Sequence, residues 1–396
     1  MLSCRLWYDV LHSPSPHSRA AWKWANLRVD FTLHPDQREA LGHSRKAAVV
    51  PDINIRFGTK HMVEFVLEAV HQGQLEKLEL HLTNIPTSVD WGLLSRAVTK
   101  AQECWIFEGK PGQLKTILRG VVNTPDSTLK NLKLRGHRHE LEEVCPSMLA
   151  RAAVRLDNLG LRACCSAQFG EIITRLASTE NSKLRELICP GSDISHLSPQ
   201  IVAGALVKLK TIEDSVFGTF RNAKFTPEQI AHLFSKIKDT GDLKLTELFF
   251  SSADISQVTP EVFAGAISRL ERAEIGVTPA QVQSLLTRIK LGGSKLKDLW
   301  LRSPDLSAVS TEDILGAFKM LEEVSLSGAV FTANQVRAIL TMVTEGSQGR
   351  LTSLFIDYGL NYNEEDAYDL LDDETVDLLQ SAQEVQLGFP LLNIDL

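Results

Sequence analysis

Apolar residues recur at i, i+3, i+4 and i+7 in six places along the chain, a spacing that sets four side chains on one helical face. The quartets are Met62/Phe65/Val66/Ala69, Leu114/Ile117/Leu118/Val121, Phe169/Ile172/Ile173/Leu176, Ile230/Leu233/Phe234/Ile237, Val282/Leu285/Leu286/Ile289 and Val336/Ile339/Leu340/Val343. Their first members lie 52, 55, 61, 52 and 54 residues apart. Between them runs a second helical pattern built on apolar pairs. It reads Leu93/Leu94 with Ala97/Val98, Met148/Leu149 with Ala152/Ala153, Ile201/Val202 with Ala205/Leu206, Val262/Phe263 with Ala266/Ile267, and Ile314 with Ala317/Phe318. In the last of these Asp313 stands where an apolar residue is expected.

Every helix of either kind leads to a short segment of alternating apolar character, best formed in Leu75/Leu78/Leu80, Leu129/Leu132/Leu134, Leu156/Leu159/Leu161 and Leu296/Leu299/Leu301. These read as strands with one buried face. The openings fall at Val50, Leu75, Ala101, Leu129, Leu156, Leu184, Leu209, Leu245, Leu270, Leu296, Leu321, Leu351 and Ala382. Residues Phe217 to Lys224 read as a loop insertion in the longest gap. Strands joined by crossover helices must run parallel, and a strand and helix of near-fixed period cannot each bury an apolar face alone, so they stack. The expected fold is α/β, a solenoid. Ser198-Pro199, Thr226-Pro227, Thr259-Pro260 and Thr278-Pro279 mark helix starts, each placing an N-cap hydroxyl before a proline whose missing N–H costs nothing there. Small residues such as Gly265, Ala266, Gly316 and Ala317 suit close helix approach.

The pattern resembles the leucine-rich repeat, in the alternating long-unit form of ribonuclease-inhibitor-like proteins. The resemblance implies a horseshoe over residues 49–396, with a parallel sheet on the concave face and helices on the convex face. The family's buried asparagine or cysteine after each strand is kept at Cys164 and replaced by Thr83, His137, Ser192, Ala253 and Pro304. The apolar position that follows survives in Ile85, Ile194, Ile255 and Leu306.

Composition narrows the function. A net charge of −7 disfavours a nucleic-acid partner, because phosphate binding needs a concentrated basic surface. No run approaches the roughly 18 apolar residues that span a bilayer. The six cysteines have no framework spacing, which fits thiols kept reduced in the cytoplasm or nucleus. No phosphate-cradling glycine loop, nucleophile elbow or zinc-protease motif is present, so an enzyme is not expected, nor a cofactor. His137 and His139 are the closest histidine pair, read as a solvated loop rather than a metal site.

Recognition is the better prospect. In the strand frame the residues between the inward leucines face away from the helices. These are Trp105 and Phe107, then Ile188, Phe249, Trp300 and Phe355. Exposed aromatics mark partner surfaces, and stacking of neighbouring rings on one another is the competing account. Lys133, Arg135 and Arg162 form a basic group on that face, while Glu213, Glu247, Asp298 and Glu323 form an acidic one. Either is solvated surface or steers a charged partner. The acidic stretch Asn363 to Asp366 with Asp372, Asp373 and Glu374 reads as a polar cap for the end of the array.

Residues 1–48 stand outside the repeat. The segment from Ser3 to Pro14, with Leu6, Trp7, Val10 and Leu11, followed by Trp22, Trp24 and Asn26 to Phe31, resembles the end of an F-box. That resemblance implies a substrate receptor of a cullin-RING ubiquitin ligase of the SCF type. Leu6, Trp7, Val10 and Leu11 would touch a Skp-type adaptor bound to a cullin, and the repeats would hold the protein target. The repeat domain of an immune-type sensor and a ribonuclease-inhibitor-like scaffold are the alternatives.

Overall fold

A computed structural model describes residues 50–55, 60, 63–64, 67, 75–135, 141–162, 164–189, 193–213, 225–250, 253–347, 349–357 and 392–395. The chain forms two compact units, Met1–Ser192 and Asp193–Leu396, so the repeat region contains a boundary that its period does not announce.

In the first unit, strands β1 (Val50–Ile55), β2 (Leu75–His81), β3 (Ala101–Phe107), β4 (Asn131–Arg135), β5 (Asn158–Leu161) and β6 (Glu186–Ile188) form a six-stranded sheet in sequence order, all parallel. Helices α1 (Trp91–Lys100), α2 (Pro111–Asn123), α3 (Pro146–Ala153) and α4 (Ser166–Ser178) alternate with them. In the second unit, β7 (Thr211–Glu213), β8 (Glu247–Phe250), β9 (Arg272–Gly276), β10 (Asp298–Arg302), β11 (Glu323–Ser327), β12 (Ser353–Asp357) and β13 (Leu392–Asp395) form a seven-stranded parallel sheet, again in order. Its helices are α5 (Pro199–Leu206), α6 (Pro227–Asp239), α7 (Pro260–Ile267), α8 (Pro279–Lys290), α9 (Thr311–Phe318) and α10 (Ala333–Thr344). The fold is α/β, parallel strands alternating with helices.

The apolar quartets of α2, α4, α6, α8 and α10 are buried throughout, together with the inward strand residues such as Leu132 and Leu134 or Leu299 and Leu301. In three pair-type helices the second member of the leading pair is the buried one: Leu149, Val202 and Phe263 are inside, while Met148, Ile201 and Val262 keep partial exposure; in α1 both Leu93 and Leu94 are buried. All four expected hydroxyl–proline starts are N-caps, with Ser198, Thr226, Thr259 and Thr278 each accepting from an amide in the first turn. The close approach at Gly265 and Gly316 is made with the aliphatic stems of Lys238 and Lys290 from the preceding helix.

From β4 to β12 the hydrogen-bonded strand starts two residues after the leading leucine. At Leu156, Leu209, Leu270 and Leu321 the leucine amide still bonds the carbonyl three residues back in the helix, so this buried residue closes the helix rather than opening the strand. At Leu129, Leu184 and Leu296 the amide is taken instead by the hydroxyl of Ser127, Ser182 and Ser294. The strand paired with β12 is Leu392–Asp395. The opening expected at Ala382, the insertion Phe217 to Lys224, the acidic cap and His137 and His139 lie outside the described residues.

The polar ladder that the sequence left in doubt is supplied by glutamine. Each long helix carries a glutamine at its third position, one residue before the quartet: Gln113, Gln168, Gln229, Gln281 and Gln335, all buried. The side-chain oxygen accepts from the amide of the N-cap residue, as in Thr278 to Gln281 at 3.0 Å. In four of the five the side-chain nitrogen donates to two carbonyls of the preceding repeat. Gln168 reaches Leu141 and Val144, Gln229 reaches Ile194 and Leu197, Gln281 reaches Ile255 and Val258, and Gln335 reaches Leu306 and Val309. A buried carbonyl must find a donor: the first of each pair also accepts from an amide of its own turn, as Ile255 does from Val258, while the second finds its donor across the repeat boundary. The turns are themselves tied by Asp254 to Ser256 and Asp305 to Ser307, whose hydrogen bonds hold both carboxyls below the usual carboxylate range.

Candidate recognition face

Along each strand the residues between the buried ones stay half-buried or exposed, so each sheet presents one solvent-reaching face. Parallel register sets equivalent positions side by side at about 4.8 Å per strand, which turns single residues into rows running across the sheet.

In the first unit the middle row reads Glu79, Trp105, Lys133, Gly160 and Ile188. Trp105 is half-buried and crowded by cations: Lys77 Nζ lies 3.8 Å, Arg135 Cζ 4.3 Å and Lys133 Nζ 4.6 Å from its ring centre. An indole face attracts cations, and three of them together need carboxylates nearby. Glu79 supplies one to Lys77 at 2.6 Å, and Glu103 another to Lys133 at 3.5 Å while accepting from the Trp105 indole N–H. The next row reads His81, Phe107 and Arg135, with the His81 and Phe107 rings stacked at 4.4 Å and Arg135 over Phe107. Arg162 follows β5 and is exposed, and Ile188 is 38% exposed.

In the second unit the middle row reads Phe249, Glu274, Trp300, Ser325 and Phe355. Phe249 and Trp300 meet across the intervening strand, ring centres 6.0 Å apart and tilted by 48°. The Trp300 indole N–H donates to Glu323 at 2.9 Å. Asp298 pairs with Arg272 at 2.8 Å, Glu274 with Arg302, and Glu247 accepts from Thr211 at 2.9 Å. The Glu213 side chain lies outside the described residues.

Trp105, Phe107, Lys133, Arg135, Arg162 and Ile188 thus share the first unit's face, and Phe249, Trp300 and Phe355 share the second's. The aromatics are less bare than their positions imply. Trp105, Phe107, Phe249, Trp300 and Phe355 are all half-buried, and neighbouring rings or long side chains lie against the first four. The charged groups are not the plain patches the sequence suggests, since Lys133, Asp298 and Glu323 each have a partner. Sequence reasoning missed Lys77, His81, Arg272, Glu274 and Arg302. His81, Arg272 and Glu274 occupy the same register positions one strand away from residues that were named, so extending the frame by one strand would have found them, whereas Lys77 and Arg302 stand beside Glu103, Gly276 and Ser327, which the frame had not singled out. Leu6, Trp7, Val10 and Leu11 lie outside the described residues.

Among the described residues no group of histidine, cysteine and acidic side chains is placed to hold a metal ion. Cys104 is fully enclosed in β3, where burial pushes its thiol well up and keeps it protonated. Among the described residues no helix is long and apolar enough to cross a membrane. No protein-family model matches the chain, and no curated protein matches it.

Proposed function

We propose that this chain is a non-enzymatic recognition protein of leucine-rich-repeat type, a horseshoe that binds a protein partner on the concave, sheet-bearing side. The observation that carries this reading is the Phe249–Trp300 pair on a sheet face that is otherwise hydrophilic apart from Phe355 in the same row. Half-exposed aromatics ringed by charged groups have the composition of a binding hot spot with its polar rim. The F-box resemblance of residues 1–48 supports one setting for such a module, that of a target receptor in an SCF-type ubiquitin ligase acting in the cytoplasm or nucleus. Recognition needs no cofactor.

The experiment is affinity capture from cells with the full chain and with Phe249→Ala/Trp300→Ala, each followed by cross-linking to locate the contact. Partner protein that cross-links to the sheet face and is lost in the double variant supports the reading. For the ligase setting, the Skp-type adaptor and cullin are expected in the capture, and are lost in Trp7→Ala/Leu11→Ala. A capture free of both contradicts that setting while leaving the recognition role in place.

A further inference from the structure

We propose that the carboxyl-terminal edge of the first unit's sheet, built on Arg135 and Arg162, is a docking site for an extended acidic segment of a partner protein, one whose Asp and Glu residues alternate with apolar ones. This deepens the recognition reading and rests on it.

Of the cations on this face, Lys77 and Lys133 have carboxylates of their own. Arg135 has only the rings of Trp105 and Phe107, and neither Arg135 nor Arg162 has a carboxylate partner among the described residues. The two stand on neighbouring strand ends. Leu134 and Leu161 are register partners, and the Arg162 amide donates to the Leu134 carbonyl at 3.0 Å, continuing the pairing one step past the strand. Like charges side by side on adjacent strands repel, so this arrangement is relieved when an anion bridges them.

Guanidinium groups suit carboxylates because their planar fork matches both oxygens. Ring contacts already restrict the Arg135 side chain, which lowers the ordering cost of binding while leaving edge N–H groups for a ligand. The flanking Trp105 and Phe107 rings offer apolar contact at the same place, which selects a segment mixing acidic and apolar side chains over a bare polyanion.

The test uses the full chain and three labelled peptides of one length: alternating Glu and Phe, the same with Lys for Glu, and the same with phosphoserine for Glu. The Glu peptide is expected to bind with an affinity that weakens as salt rises, while the Lys peptide does not bind. Arg135→Gln/Arg162→Gln is expected to weaken the Glu peptide by about ten-fold or more, and Arg350→Gln, exposed in the second unit, to leave it unchanged. Equal binding by wild type and the double variant, binding indifferent to salt, tight binding of the Lys peptide, or binding of the phosphoserine peptide alone would each overturn the proposal. The salt series needs no variant and so does not depend on the double variant folding. If the Glu peptide fails while Phe249→Ala/Trp300→Ala still releases a cellular partner, the recognition role stands and this assignment falls.

Discussion

The Gln281 side-chain nitrogen donates to the Val258 carbonyl at 2.7 Å, across the boundary between one repeat and the next. It also reaches Ile255 at 3.1 Å while its oxygen receives the Thr278 amide, so one buried amide side chain closes a helix start and the preceding turn together.

Replacing Gln281 with leucine keeps the volume, strands the Val258 carbonyl and the Thr278 amide, and leaves the Ile255 carbonyl with the Val258 amide alone. The expected cost is about 1–3 kcal/mol in a urea titration, the desolvation penalty of buried unpaired groups. Gln113 makes the same N-cap bond from Lys110 at 2.7 Å but no carbonyl bond to the preceding turn among the described residues. Gln113→Leu should therefore cost less than Gln281→Leu. Equal losses would mean the bonds across repeats contribute nothing beyond the cap.

Helix α2 meets α1 at Gly120, where an added Cβ would fall 1.8 Å from Ser95 Oγ and 3.2 Å from Ser95 Cβ. Ser95 is itself buried. Gly120→Ala is expected to lower the thermal midpoint, with overpacking costs of about 1–3 kcal/mol, and Ser95→Gly to restore part of the loss in the double variant. Additive losses would show that the two sites do not press on each other.

Lys290 carries the pH dependence of the α8–α9 contact. Its ammonium lies 2.6 Å from Glu312 and 3.1 Å from Asp313. Hydrogen bonding to Glu312 and then Asp313 raises the Lys290 pKa, and the bond from Lys290 lowers that of Asp313. A lowered carboxylate adds stability that is present above its unfolded pKa and lost as pH falls through its folded value. A raised ammonium adds stability present below its unfolded pKa and lost as pH rises through its folded value. Asp313→Asn should thus destabilise at neutral pH and cost progressively less in strongly acidic solution, as read from denaturation midpoints across pH. A cost that does not change with pH would show that the pairing is not electrostatic.

Asp313 also shows how the sequence speaks and where it falls silent. It stood out as a charge in an apolar place, but its answer, Lys290, sits 23 residues back on another helix. Periodicity located the buried quartets, the alternation of helix and strand and the parallel order, because burial has the same period as the backbone. It misplaced most strand starts by two residues, because a leucine bonded to the last helical turn has the same hydropathy as one in a strand. The glutamines were in plain view, one before each quartet from Leu114 on, but their value lies in bonds to carbonyls, which carry no sequence signature. On the sheet faces, the frame placed Phe249, Trp300 and Phe355 correctly in one row, but it set Lys133 in a basic group apart from Trp105, its register partner. It could not show that Lys77, Arg135 and His81 lie against the rings, since that depends on side-chain reach between strands.

The most direct test of a recognition surface on the sheet compares Phe249→Ala/Trp300→Ala with Leu299→Ala, reading both partner capture and the unfolding midpoint. Leu299 is fully buried beside Trp300, and its truncation should cost about 2–5 kcal/mol through the cavity it leaves. The aromatic pair should cost about 1 kcal/mol, the worth of a half-exposed ring contact, while partner capture falls by about ten-fold or more. If the pair instead unfolds the protein as readily as Leu299→Ala, or capture is unchanged in a folded double variant, then those rings serve the core and the partner binds elsewhere.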